Sequence, residues 1–547
     1  MNLIQLSSLE KVFLQGKFDK KEFNGTTALK GEKISYQIAF KYEDDNSHYK
    51  SLKINVNSDL KDYIKLYTVG SVPSHLPVHN SFFYGNDENY ISKDAGLYPD
   101  ILYPCDKNTE IYSEVWSSLW VEISIPNDIK AGKYNIEIEF SFDDYCEKKV
   151  FKLEVLNAQL PEQTLKYTQW FYCDSLYTYY SIEPFCEKHW EIIENFAKLA
   201  RENGMNMILT PVITPTLDVD IGKDRPTNQL VKIEKNKDEY IFDFSLLDRW
   251  IEMCDRVGIE YFEICHMFTQ WGAKSASKVM AYENGEYKKI FGWETPATSD
   301  EYVHFLNQFI PALTSYFEKN NLKERVYFHI SDEPNLSNME SYKAAREVLA
   351  SLVKDYKSID ALSNYEFYEK GLVNIPVVAN NHIKPFLGKG ISELWTYYCC
   401  AQAKDVSNRF MSMPSARNRI LGIQMYKYGI KGFLHWGYNF YFAARTRKKI
   451  NPFITTDALN TFPSGDAFSV YPGEDGIPYP SLRMLVFNEG LQDLRALKAL
   501  EEKIGYDNVV ELIEENLNYK IEFDKYPSEA EYILNLREKI NRILDKS

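Results

Sequence analysis

Two hydrophobic rhythms divide the chain. Over roughly the first 160 residues, short segments alternate or run apolar with turn residues between them, at 33–41, 52–56, 63–69, 119–125, 134–142 and 150–156. Pro126-Asn127-Asp128 and Ala131-Gly132-Lys133 supply a connection into a strand, and Leu97 to Pro104 (LYPDILYP) reads as a proline-bounded loop. Several short strands at this spacing predict a β-sandwich, closed off at Leu160-Pro161. From about residue 165 the rhythm becomes strand, then helix, repeated. Strands are predicted at 167–173, 205–210, 261–266, 326–331, 359–363, 375–379, 394–399 and 432–436. Amphipathic helices are predicted at 187–203 and 245–257, each followed by a glycine stop (Gly204, Gly258), and at 300–320 and 338–356, with Pro311 expected to kink the third. Eight strands with intervening helices fit a (β/α)₈ barrel. Residues 481–547 read as helices packing on that barrel. The predicted organisation is multidomain, all-β then α/β: a sandwich over 1–162, a TIM-type barrel over 163–480 and C-terminal helices over 481–547.

Composition narrows the function. The hydrophobic share of 44% and charged share of 26% suit a globular protein able to bury large cores. A formal charge of −15 argues against a nucleic-acid or anionic-membrane partner. No segment approaches the roughly 20 apolar residues of a membrane span, so no membrane insertion is expected. The N-terminus lacks a basic start followed by an apolar run, and the eight cysteines form no CxxC pair; a cytoplasmic location is the simplest expectation. Nothing resembles HExxH or a ligand pair on one helix face, so no metal and no organic cofactor is expected.

The chemistry concentrates where barrel strands end. The predicted fourth strand stops at Pro334 and leaves Asp332 and Glu333 side by side at a strand-to-loop junction. Two carboxylates forced together raise the pKa of at least one, and a protonated acid beside an ionised one is what acid-assisted bond cleavage needs. Trp170 and Asp174 end strand one, and His266 ends strand three ahead of Gln270-Trp271. Asn364, Tyr365 and Glu366 follow strand five, and Asn380-Asn381-His382 follow strand six. Trp395 and Tyr397 belong to strand seven, and Trp436 and Tyr438 end strand eight. Aromatic walls with amides and carboxylates suit a sugar, whose C–H faces and hydroxyls they match. Any one aromatic can equally be core, His266 a structural histidine and Asp174 a helix cap. Alternation along a strand limits how many of Trp395, Tyr397, Trp436 and Tyr438 face inward; at least one tryptophan and one tyrosine are expected to line the site.

Residues 394–401 (LWTYYCCA) carry no carboxylate, so a strand-seven nucleophile is excluded and Asp332 becomes the nearest partner for Glu333. Adjacent Asp and Glu suit substrate-assisted glycoside hydrolysis, in which the sugar's 2-acetamido oxygen attacks the anomeric carbon. Phe328-His329-Ile330-Ser331-Asp332-Glu333-Pro334, the Tyr98 to Pro104 stretch, and Ser481-Leu482-Arg483 followed by Glu489-Gly490-Leu491-Gln492-Asp493 resemble glycoside hydrolase family 123. The resemblance covers nearly the whole chain. It implies a retaining β-N-acetylgalactosaminidase, with Asp332 stabilising the acetamido group, Glu333 as acid/base, and terminal β-linked GalNAc, as on glycosphingolipid glycans, as substrate. Two alternatives stand beside it. One is a retaining glycosidase of other specificity, with Asp174 or Glu366 as partner to Glu333; the other is a non-catalytic glycan-binding protein.

Overall fold

The structure, a computed structural model, describes residues 1–16, 21–43, 48–79 and 85–546. The N-terminal region forms two five-stranded sheets. One runs in the order Asn2–Ser7, Lys33–Lys41, Ser117–Ser124, Ile64–Ser74, Gly96–Pro104; the other Gly25–Lys30, Tyr145–Gln159, Gly132–Phe142, Tyr49–Asn57, Asn108–Tyr112. Alternate residues Ile136, Ile138 and Phe140 of the second sheet are buried against Ile38, Phe40 and Val121 of the first. Tyr36 stacks on Phe151 across this core with ring centroids 4.0 Å apart. All six predicted strands are present here. The stretch read as a loop, Leu97 to Pro104, is instead a strand, and three further strands (Asn2–Ser7, Gly25–Lys30, Asn108–Tyr112) carry no clear sequence signal. These four are the edge strands of the two sheets. An edge strand tolerates prolines because half of its backbone groups have no ladder to join, so Pro99 and Pro104 did not break it.

Eight parallel strands then close a barrel: Lys166–Gln169, Met207–Thr210, Tyr261–Ile264, Val326–Phe328, Lys357–Leu362, Ile375–Ala379, Trp395–Tyr397 and Gly432–His435. Each overlaps a predicted strand. The helical layer is less regular than a (β/α)₈ fold implies. Full helices follow strands one to four (among them Glu187–Glu202, Ser245–Val257, Asp300–Lys319 and Met339–Ala350). Strand five is followed only by the single turn Glu366–Glu369, strand six by 3₁₀ turns, and strand seven by Ser415–Arg419 and Leu421–Lys427. Gly258 closes its helix at φ 90°, a left-handed conformation suited to glycine. The helix Asp300–Lys319 continues through Pro311. Insertions after strands two and three build a small four-stranded sheet in the order Glu239–Asp243, Lys232–Asn236, Val279–Glu283, Glu286–Phe291.

The C-terminal helix Leu482–Ile504 packs on the barrel, with Phe487 against Tyr167 and Phe433 at 5.0 and 4.8 Å. The last helix, Ala530–Asp545, lies between Leu482–Ile504, where Arg537 binds Asp493 at 2.8 Å, and the N-terminal sheets, where Asn541 donates to Thr27 Oγ1 at 3.1 Å; Ser547 lies outside the described residues. Leu421–Lys427 crosses Leu482–Ile504 so closely that a Cβ on Gly422 would meet the Gly490 carbonyl oxygen at 1.9 Å. Buried ion pairs join the regions. Arg483 grips Asp100 of the edge strand through Nε at 2.6 Å and Nη2 at 2.9 Å, and the Tyr471 hydroxyl donates to the same carboxylate at 2.5 Å. Arg419 binds Glu489 and Asp493 at 2.7 Å each, and Ser8 donates to Glu489 at 2.7 Å. Among the described residues no helix is long and apolar enough to cross a membrane.

Candidate active site

A cavity of about 310 Å³ opens at the C-terminal end of the barrel. Its floor is the turn after strand four. The strand ends at Phe328, and Ser331 through Pro334 leave it as an irregular loop. This loop is tied to the loop after strand three: the Ser331 hydroxyl donates to Thr269 O at 2.9 Å, and Trp271 N to Asp332 O at 2.9 Å. Asn335 caps the following turn by accepting from Ser337 N at 3.0 Å. Between these anchors Glu333 takes φ 42°, a left-handed conformation costing a non-glycine residue about 1 kcal/mol or more. Both Asp332 and Glu333 thereby line the same cavity.

The two carboxylates differ in their partners. Glu333 Oε1 accepts from the Tyr397 hydroxyl at 2.5 Å. Among the described residues no side-chain donor is hydrogen-bonded to Asp332. Burial raises the pKa of both. Asp332 is pushed well above the ordinary carboxylate range by burial and by the Glu333 charge, with the His329 charge opposing. Glu333 is raised by burial, with the Tyr397 hydrogen bond opposing. The pair therefore holds a shared proton to higher pH than a lone exposed carboxylate would.

A buried network lies next to the floor. His329 Nε2 donates to Glu263 Oε1 at 2.5 Å and Nδ1 to Asp360 Oδ1 at 3.2 Å. Burial works against its charge, but the hydrogen bonds and charges of Asp360 and Glu263 win and raise it to about 9. Trp170 Nε1 also donates to Glu263, at 2.7 Å, which fixes the indole that lines the cavity. His266 stacks on His329 with centroids 4.1 Å apart; it is buried and neither ring nitrogen has a partner. Burial and the His329 charge push it well below the usual histidine range. Among the described residues, His266, His329 and Asp360 are the one group close enough to share a metal ion. Both His329 nitrogens already serve carboxylates, so an ion there would have to displace those bonds.

Of the residues predicted for the site, Asp332, Glu333, Trp170, Tyr397 and Trp436 line the cavity. Trp436 is oriented by Asp466, whose Oδ2 accepts from Nε1 at 2.9 Å. Six others do not line it, among them His266, which packs behind the wall on His329. Asp174 is sealed in an ion pair with Arg225 at 2.8 Å. Trp395 shares a strand face with Tyr397 but lies two residues nearer the strand's start, against Tyr327 and Gly432 and bonded to Glu393 at 3.1 Å. Tyr438 points out of the barrel, donating to Phe196 O at 2.9 Å and packing on Phe171. Tyr365 packs on Phe386, and Asn364 is also outside the lining. Glu366, the alternative partner for Glu333, begins the turn after strand five and is likewise absent from the cavity wall. Tyr172, Asp218, Gln270, Trp271 and Arg445 also line the cavity without having been singled out as site residues. Gln270-Trp271 carried one usable signal, following a barrel strand directly.

Residues 170–500 match the family model described as "Glycoside hydrolase 123, catalytic domain". A family 123 glycoside hydrolase from Clostridium perfringens, solved in a study of glycolipid glycan hydrolysis, matches with a TM-score of 0.74 at 17% identity, over 100% of this chain and 98% of that one. β-Glucuronidase 3 of Bacteroides uniformis matches with a TM-score of 0.31 at 11% identity, over 85% of this chain and 50% of that one. The Parabacteroides merdae β-glucuronidase gives 0.27 at 8%, over 74% and 45%. No curated protein sequence matches the chain.

Proposed function

Because the chain belongs to glycoside hydrolase family 123, we propose that it is a retaining exo-β-N-acetylgalactosaminidase that removes terminal β-linked GalNAc from glycans such as glycosphingolipid oligosaccharides. The carrying observation is the Asp332–Glu333 pair on the cavity floor, with Glu333 turned into a left-handed conformation and bonded to Tyr397.

In this reading the sugar's acetamido N–H supplies the donor that Asp332 lacks. A hydrogen bond to the ionised carboxylate lowers its pKa, so substrate binding moves the shared proton to Glu333. His329⁺ favours the same outcome by opposing the rise at Asp332. Asp332 then orients and polarises the acetamido group as its oxygen attacks the anomeric carbon. Glu333 protonates the departing glycosidic oxygen, and the Tyr397 hydroxyl stabilises the carboxylate that forms. Glu333 next takes a proton from water, which opens the oxazolinium with net retention. Trp170 and Trp436 offer apolar faces to the ring.

A panel of chromogenic β-glycosides of GalNAc, GlcNAc, galactose and glucose tests the substrate. Cleavage of the GalNAc glycoside, with inhibition by a GalNAc thiazoline, is expected. A 2-fluoro sugar adduct on any carboxylate, seen by mass spectrometry, would replace this mechanism with one using a protein nucleophile. Asp218 is the remaining carboxylate among the lining residues and the place to look for it.

A further inference from the structure

The chain carries a formal charge of −15, yet residues 445–449 read Arg-Thr-Arg-Lys-Lys. This basic stretch lies at the cavity mouth. Arg445 is part of the cavity lining, and Arg445, Arg447 and Lys448 are exposed. The local carboxylates do not cancel it. Asp220 serves both guanidiniums, at 3.2 Å from Arg445 and 2.7 Å from Arg447. Asp218 spends one oxygen on the Arg445 backbone N–H at 2.7 Å. Lys449 turns aside toward Thr178 O and Ser181 Oγ, at 3.4 and 3.3 Å. Two guanidiniums and an ammonium thus face solvent beside two carboxylates.

The segment is also held in shape. Arg445 and Thr446 both take left-handed backbone conformations, at φ 59° and 53°. Asp218 fixes them by accepting from Arg445 N and, through its carbonyl, from the Thr446 hydroxyl at 2.6 Å. The Arg445 guanidinium lies 5.7 Å from the centre of the Trp271 ring. Trp271 is 37% exposed, although its backbone is fastened to Asp332 O and, through its own carbonyl, to Asn338 Nδ2 at 3.0 Å. An exposed indole fixed at a cavity mouth is a stacking platform for a sugar, and a guanidinium over it is placed to meet an anion on that sugar.

We propose that Trp271, Arg445 and Arg447, with Lys448 beside them, form a rim subsite for an acidic sugar: a residue bearing a carboxylate or sulfate, next to the one that is cleaved. The proposal rests on the exo-glycosidase reading above. In an exo-acting cavity the terminal sugar fills the floor and its neighbour occupies the mouth. The natural substrates are then acidic oligosaccharides, and the subsite selects them by charge while the floor selects the terminal residue.

The test uses matched oligosaccharides whose penultimate sugar is neutral, carboxylated or sulfated, each made with terminal GalNAc and with terminal galactose. Binding is read by calorimetry and hydrolysis by released monosaccharide. At low ionic strength the acidic members of a series are expected to bind roughly tenfold more tightly than the neutral one, an advantage that shrinks in high salt. In the double variant Arg445→Gln/Arg447→Gln the ratio is expected to fall to about one. Trp271→Ala is expected to weaken neutral and acidic members alike. Carboxylate and sulfate arms separate the two sources of charge, and an advantage for either supports the subsite. A ratio of one in the unaltered protein, or a ratio that survives the double variant, overturns it. Cleavage of the GalNAc series without any charge preference would leave the glycosidase reading standing and remove the subsite. A charge preference lost in the double variant, without GalNAc cleavage, would do the reverse.

Discussion

Replacing Tyr397 with phenylalanine removes a single hydroxyl from the site. That hydroxyl donates to Glu333 Oε1 at 2.5 Å from a side chain only 4% exposed, so water does not readily take its place. A hydrogen bond to a charged group contributes about 1.5–3 kcal/mol. In the proposed mechanism Glu333 begins the first step protonated and ends it ionised. With the carboxylate about half formed in the transition state, its removal raises the barrier by about half of that energy, or about fourfold to twelvefold in kcat. The loss should grow as the leaving group becomes poorer, because a poor leaving group needs fuller proton donation. The sign of the pH effect follows from the same bond. The hydroxyl stabilises ionised Glu333, so its removal raises the Glu333 pKa further, and the alkaline limb of kcat/KM moves to higher pH. The assay is a pH–rate profile of Tyr397→Phe on aryl β-GalNAc glycosides of graded leaving-group acidity. An alkaline limb that stays in place or moves to lower pH would refute the assignment of Tyr397 to Glu333.

Other perturbations separate chemistry from folding. The folded protein raises the Glu333 pKa, so ionisation of that group destabilises it as pH rises above the ordinary carboxylate range; Glu333→Gln should raise Tm near neutrality, with a gain that shrinks toward pH 4, measured by calorimetry. His329 is raised to about 9, so its contribution to stability is complete below about 6.5 and lost as pH climbs through about 9; His329→Gln should be less stable overall and should flatten the fall in Tm across that window. Trp395→Ala should cost about 3–5 kcal/mol in chemical denaturation, since the side chain is fully buried. Trp436→Ala should instead weaken sugar binding measured by calorimetry.

The barrel was legible because its strands are buried on both faces. Ile375–Ala379 is buried at every position, and such runs stand out from a polar background. The sheet edges were not, because Gly96–Pro104 and its three counterparts satisfy only one neighbour and so bear a weaker constraint on composition. In the site, Asp332 and Glu333 were readable from their position at a strand end. Alternation identified the face of Trp395 and Tyr397 but not their depth, and depth decides which of them lines the cavity. Asp218 and Arg445 were invisible for a different reason. Both sit in left-handed turns, at φ 42° and 59°, where no periodic pattern exists. Asp174 was misplaced because its partner Arg225 lies 51 residues away.

The bond between Arg483 and Asp100 bears on how this enzyme can be dissected. The family match begins at residue 170, so a fragment trimmed to it keeps the arginine and discards its carboxylate. It also discards Ser8, which donates to Glu489, and Lys33, whose backbone N–H donates to Gln492 at 2.7 Å. Stranding one buried charge costs about 3–5 kcal/mol, against a whole-protein stability of about 5–15 kcal/mol. A minimal catalytic fragment would therefore fold poorly or not at all, whatever the intactness of its active-site residues. Engineers who transplant this barrel must carry the N-terminal sheets with it, because the change of rhythm near residue 162 marks where one fold ends and not where its stabilising contacts end.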